Sequence, residues 1–141
     1  MSEEKAQQLM QQMQMIESYF SDLSQREDTL FSVLGEATSA IESMKSLKQK
    51  STSDTLVPIG MGTYVKTKIS SADKIILNIG SGVALEKDTD AAVNYLEARI
   101  KEIEVALKET ATKKQDAATR LEQGKAQLNQ LMMDVSQQPS G

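Results

Sequence analysis

Leu56-Val57-Pro58-Ile59-Gly60-Met61-Gly62-Thr63-Tyr64-Val65-Lys66-Thr67-Lys68-Ile69 interrupts two long helical patterns and sets the architecture of the chain. It is followed by Lys74-Ile75-Ile76-Leu77-Asn78-Ile79-Gly80-Ser81-Gly82-Val83-Ala84-Leu85-Glu86-Lys87, which has the same layout. Each half is a short apolar run, a Gly-x-Gly turn and a second run with strand-like alternation, and therefore predicts a β-hairpin. Ile59-Gly60-Met61-Gly62 aligns with Ile79-Gly80-Ser81-Gly82, an internal duplication of one hairpin. Glycine at these places permits the positive φ of a tight turn. Pro58 cannot donate to a ladder, which puts the first strand at an edge.

A phosphate-cradling loop is a poor reading of Gly80-Ser81-Gly82. Leu85 stands where the next glycine would be needed, and a strand rather than a helix follows. Runs such as Ile75-Ile76-Leu77 are apolar on both faces, more than one small sheet can bury. The strands are expected either to close against other chains or to pack on the chain's own helices.

On either side of this unit the pattern changes to alternating steps of four and three. In the first arm the walk runs Leu9, Met13, Ile16, Phe20, Leu23, Glu27, Leu30, Leu34, Ala37, Ile41 and Met44, polar only at Glu27 and small at Ala37. A repeat of 3.5 held this long specifies a supercoiled helix, since a period of 3.6 would drift by about 20° per heptad. Ser2, Glu3 and Glu4 suit its N-terminus, and Lys45, Lys48 and Lys50 its C-terminus. At about 1.5 Å per residue the arm should be roughly 65 to 70 Å long. Gly35 lies off the seam and reads as a tolerated surface glycine.

In the second arm Asp88, Thr89 and Asp90 supply a cap and an acidic first turn. The walk resumes as Val93, Leu96, Ile100, Ile103, Leu107, Thr110, Lys114, Ala117, Leu121, Gly124, Leu128, Leu131 and Val135, weakening at Thr110, Lys114 and Gly124. The simplest packing is an antiparallel intramolecular coiled coil in which paired numbers sum to about 137 to 141. Glu27 then falls opposite Thr110 to Lys114, either as a register-fixing contact with Lys114 or as an unrelated imperfection.

The fold class is thus α+β, mainly α: a long antiparallel coiled-coil hairpin with two central β-hairpins. The expected spans are helix 3–50, β-hairpins 55–87, helix 89–135 and a disordered tail 136–141, all in one domain.

Composition narrows the function classes. With 4% aromatics and no Trp, a conventional globular core is not expected. A net charge of −4 offers no basic field for nucleic acid. The chain contains neither Cys nor His, removing thiolate chemistry and the commonest zinc ligands, so catalytic residues, metals and cofactors are not expected. An acidic N-terminus without an apolar run reads as neither signal peptide nor membrane span, and a cytoplasmic location is expected. Met10, Met13, Met15, Met132 and Met133 gather where the fold-back brings the two arm ends together, and only Met13 is on the seam. The others mark either an adaptable apolar interaction surface or a ragged helix end. Tyr19, Phe31, Val33 and Leu47 also lie off the seam, with no role that the sequence decides.

Nearly the whole chain resembles the prefoldin family, in particular its archaeal α subunits, through Leu56 to Val65, Ile79-Gly80-Ser81-Gly82-Val83 and two strand pairs between coiled-coil arms. Two hairpins mark the α class, β subunits having one. The resemblance implies an ATP-independent co-chaperone, not an enzyme. It implies two α and four β subunits joined through a β-barrel, with tentacles that hold unfolded clients and pass them to a group II chaperonin. On this reading the client-binding residues are Leu9, Met10, Met13, Met15, Ile16, Leu128, Leu131, Met132, Met133 and Val135. The oligomer interface is Leu56, Val57, Ile59, Tyr64, Val65, Ile75, Ile76, Leu77, Ile79, Val83 and Leu85. The rival reading is a coiled-coil spacer or adaptor that docks one defined partner.

Overall fold

The computed structural model describes residues 2–137 of the chain. Its elements are α1 (Ser2–Gln49), β1 (Thr52–Gly60), β2 (Thr63–Ser70), β3 (Ile75–Gly80), β4 (Val83–Lys87) and α2 (Thr89–Gln137). The first hairpin starts at Thr52, ahead of the expected residue 55, and α2 continues to Gln137 rather than ending at 135. The rest of the expected tail, residues 138–141, lies outside the described residues. No helix among the described residues is long and apolar enough to cross a membrane. The chain divides into two compact units, one taking the described residues up to Ser32 and from Val105 onward, the other Val33–Glu104.

In the Val33–Glu104 unit the four strands form two separate two-stranded antiparallel sheets, β1 with β2 and β3 with β4. Each closes on a two-residue loop, Met61-Gly62 or Ser81-Gly82, with φ of 50° and 74° in the first and 54° and 74° in the second. Two consecutive positive φ values are the signature of a type I′ turn, whose twist matches that of the flanking strands. Just before each loop the register slips, between Pro58 and Gly60 and between Asn78 and Gly80, so Ile59 and Ile79 are the extra residues of two equivalent bulges. The Ile-Gly-x-Gly repeat in the sequence is therefore the repeat of one bulged turn. The second loop is held further by Asn78, whose Oδ1 accepts from the Gly80 N–H at 3.0 Å.

The helix that follows is started by its cap. Asp88 Oδ1 accepts from the Ala91 N–H at 2.8 Å, while the Asp88 carbonyl accepts from the Ala92 N–H at 2.9 Å. Asp90, in the first turn of α2, forms an ion pair with Lys48 in the last turn of α1. Both charges complement the dipoles of their own helices. Ala92 beside them is wholly buried.

In the other unit the ends of α1 and α2 pair antiparallel. Along both helices the 4-3 walk picks out the covered positions: every α1 seam residue from Leu9 to Met44, and every α2 seam residue from Val93 to Leu131, is buried or half-buried. Val135, at the end of the walk, is exposed. The apparent weak points are filled in three different ways. Thr110 is buried and its hydroxyl donates to the Ala106 carbonyl at 2.7 Å, so no polar atom is left unpaired there. A Cβ on Gly124 would lie 2.9 Å from Met13 Cγ, which means that the glycine is the hole into which the Met13 side chain packs. Lys114 Nζ lies 3.1 Å from Glu27 Oε1 and 5.2 Å from the centre of the Phe20 ring.

These layers lead to two tests. With both side chains of the Glu27–Lys114 pair only 22–24% exposed, replacing one alone leaves a largely desolvated charge. Glu27→Leu or Lys114→Leu should cost on the order of 1 to 3 kcal/mol in thermal unfolding, the double variant should match or exceed the parent, and spin-label distances across the double variant should broaden. Gly124→Leu should lose about 1 to 3 kcal/mol by overpacking, and adding Met13→Ala should restore most of it.

Candidate functional sites

The two apolar surfaces expected from the sequence lie in different units. The first is built by the ends of α1 and α2. A narrow two-helix seam covers one stripe per helix, so long side chains off the stripe stay largely in water. Met10, Met15, Met132 and Met133 are in that position, each at least half exposed, with Met15 at 73%. Leu9, Ile16, Leu128 and Leu131 are half-buried seam residues; Leu9 and Ile16 line a groove with Met15, and Leu131 lines one with Met132. Met13 is different: it is 8% exposed against Gly124 and packs the coil rather than presenting a free surface.

Two grooves run beside these residues. One, of about 420 Å³, is lined by Leu9, Met13, Met15 and Ile16 with Gln12, Arg120, Gln123, Gly124 and Gln127. The other, of about 240 Å³, is almost wholly apolar and is lined by Glu3, Ala6, Leu131, Met132, Val135 and Ser136. Their existence could not be read from the sequence, because depth depends on how far each layer opens the helices. Tyr19 borders a smaller pocket with Ile16, Lys113, Asp116, Ala117 and Arg120.

The second surface is on the hairpins. Leu56, Val57, Ile59, Tyr64, Val65, Ile76, Ile79, Val83 and Leu85 are exposed, and the turn residue Met61 is fully so. Ile75 is half-buried, whereas Leu77 is 7% exposed and already covered within the chain. Alternation explains the difference. Ile75 and Leu77 point to one face of β3 and Ile76, at 68% exposed, to the other, so covering one face leaves the second bare. Leu47, undecided by sequence, lines a groove of α1 against the first hairpin with Ser39, Glu42, Ser43, Ser46, Thr55 and Ile69. Phe31 and Val33 remain exposed.

Exposed apolar strand faces and exposed methionines at paired helix ends are features of interaction surfaces. A family model, prefoldin subunit, matches residues 16–134. The chain belongs to the prefoldin family. It is 70% identical over 137 residues to the prefoldin subunit alpha of Nitrosopumilus maritimus, spanning 97% of this chain and 94% of that one. Prefoldin subunit alpha 1 of Thermococcus kodakarensis is 34% identical over 99 residues, covering 70% of this chain and 68% of its own length.

Among solved structures, the cryo-EM structure of filamentous PFD from Methanocaldococcus jannaschii superposes with a TM-score of 0.69 at 20% identity, over 81% of this chain and 95% of that one. The prefoldin beta subunit of Thermococcus strain KS-1 gives 0.64 at 16% identity, over 96% and 95%. At such identities the likeness carries the fold, two long helices with strand pairs between them. Prefoldin is a chaperone family rather than an enzyme family, its subunits form oligomers with β subunits, and the chain takes a co-chaperone role.

Proposed function

We propose that this chain is the α-type subunit of an ATP-independent prefoldin, assembling through its hairpins and holding unfolded or nascent polypeptides at the paired ends of α1 and α2. The observation that carries this reading is the exposure of Met10, Met15, Met132 and Met133 on helices whose other exposed positions are mostly polar. A flexible thioether surface adapts to many apolar partners and demands no single shape. Each subunit's grip is weak, but several tethered subunits raise the effective concentration of the next contact, so a client is retained without ATP.

Assembly uses the bare strand faces. Leu56, Val57, Ile59, Tyr64, Val65, Ile76, Ile79, Val83 and Leu85 would be covered when hairpins of several subunits close into a barrel, with Ile75 and Leu77 supporting them from within. The stoichiometry is two α with four β subunits, the location cytoplasmic, and the recipient of the client a group II chaperonin. The chain itself performs no catalysis, needs no cofactor or metal, and binds neither nucleic acid nor membrane.

Replacing Met10, Met15, Met132 and Met133 together by Ser should reduce suppression of aggregation of a heat-unfolded test protein by more than about fivefold, with the mass of the assembled oligomer unchanged. Unchanged holding, or selective capture of one folded protein with no effect on unrelated clients, is the result a spacer would give and would refute the proposal. Ile59→Lys with Ile76→Lys should instead prevent assembly with a β subunit by native mass, because each lysine would place an unpaired charge in the covered face, while helical circular dichroism is retained.

A further inference from the structure

No charged residue occurs from Ala6 to Ile16 or from Ala126 to Met133, in a chain that is 26% charged. The two stretches lie on helix ends that pack together, as Met13 against Gly124 shows. Outside the seam their polar positions are amides, including Gln8, Gln12, Gln127 and Gln130, all exposed. Helix propensity does not require this, because Glu, Lys and Arg form helices as well as Gln does. Elsewhere the same helices use charge freely at exposed positions, as at Glu17, Asp22, Glu97 and Lys101.

What the choice of amides changes is the surface's chemistry. A charged rim would favour clients of one sign, add salt dependence and resist the loss of water when a client settles on it. A glutamine amide both donates and accepts, and so complements the N–H and C=O that an unfolded segment leaves unpaired. Three such amides, Gln12, Gln123 and Gln127, line the larger groove beside Leu9 and Ile16. The charges bordering the two grooves, Arg120 at one and Glu3 at the other, are of opposite sign and set no shared preference.

We propose that the helix-end surface recognises extended client segments by their unpaired backbone amides together with apolar side chains, and that it is indifferent to client charge. This rests on the client-binding reading above and names its substrate class.

The test measures anisotropy of fluorescein-labelled unstructured peptides with the full chain assembled with a β subunit. The peptides share fixed Leu and Phe positions, with the remaining positions neutral, Lys-bearing or Glu-bearing, and a further neutral peptide is N-methylated at alternate backbone nitrogens. The three charge forms should bind within about twofold of one another, and should do so at both about 0.05 and about 0.5 M salt. N-methylation should weaken binding by about tenfold. Gln12→Glu, Gln123→Glu and Gln127→Glu combined should create a preference of about tenfold for the Lys-bearing peptide at low salt. A charge preference in the parent, no loss on N-methylation, or a triple variant still indifferent to charge would each overturn this inference and leave client holding in place. No binding of any peptide would overturn both.

Discussion

A coiled coil of two helices has one contact stripe per helix, and every layer along it must be filled from only a few side chains. That constraint governs this molecule. Ala92 is the only wholly buried apolar residue among those described, so order comes from a succession of thin layers and not from a central core. Where a layer cannot be filled by two large aliphatic residues, the chain uses a different local solution. Met13 enters the space left by Gly124, Thr110 satisfies its hydroxyl within its own helix, and Glu27 pairs with Lys114 beside Phe20.

The same narrowness explains why the surface is informative. In a globular domain an off-pattern Met or Ile has many directions in which to be buried, but here a long side chain off the stripe has few, and it is small residues such as Ala92 that are covered there. The exposed methionines at the paired helix ends follow from that geometry, and the bare faces of the two small sheets follow from strand alternation in sheets of only two strands. The physical reasons for their exposure stand without the family assignment.

Much of this could be read in the sequence. The 4-3 spacing located the covered positions of both helices, and the repeated Ile-Gly-x-Gly located two bulged turns with nearly equal backbone angles. What escaped was local. Gly124 and Thr110 looked like weaknesses, because a polarity pattern cannot see that a missing side chain makes room for Met13 or that a hydroxyl is satisfied four residues back. Ala92, next to the seam residue Val93, gave no signal beyond its small size. Among the candidate site residues, Leu77 and Met13 share the composition of their neighbours and differ only in what lies over them, which no sequence period encodes.

The division of the strands into two separate pairs has a consequence of counting. In a two-stranded sheet each strand is bonded on one side only, so this chain presents four unpaired strand sides where a single hairpin would present two. One of the four carries Pro58 and is poorer by a donor. The repeated turn motif thus doubles the number of strand sides open to pairing.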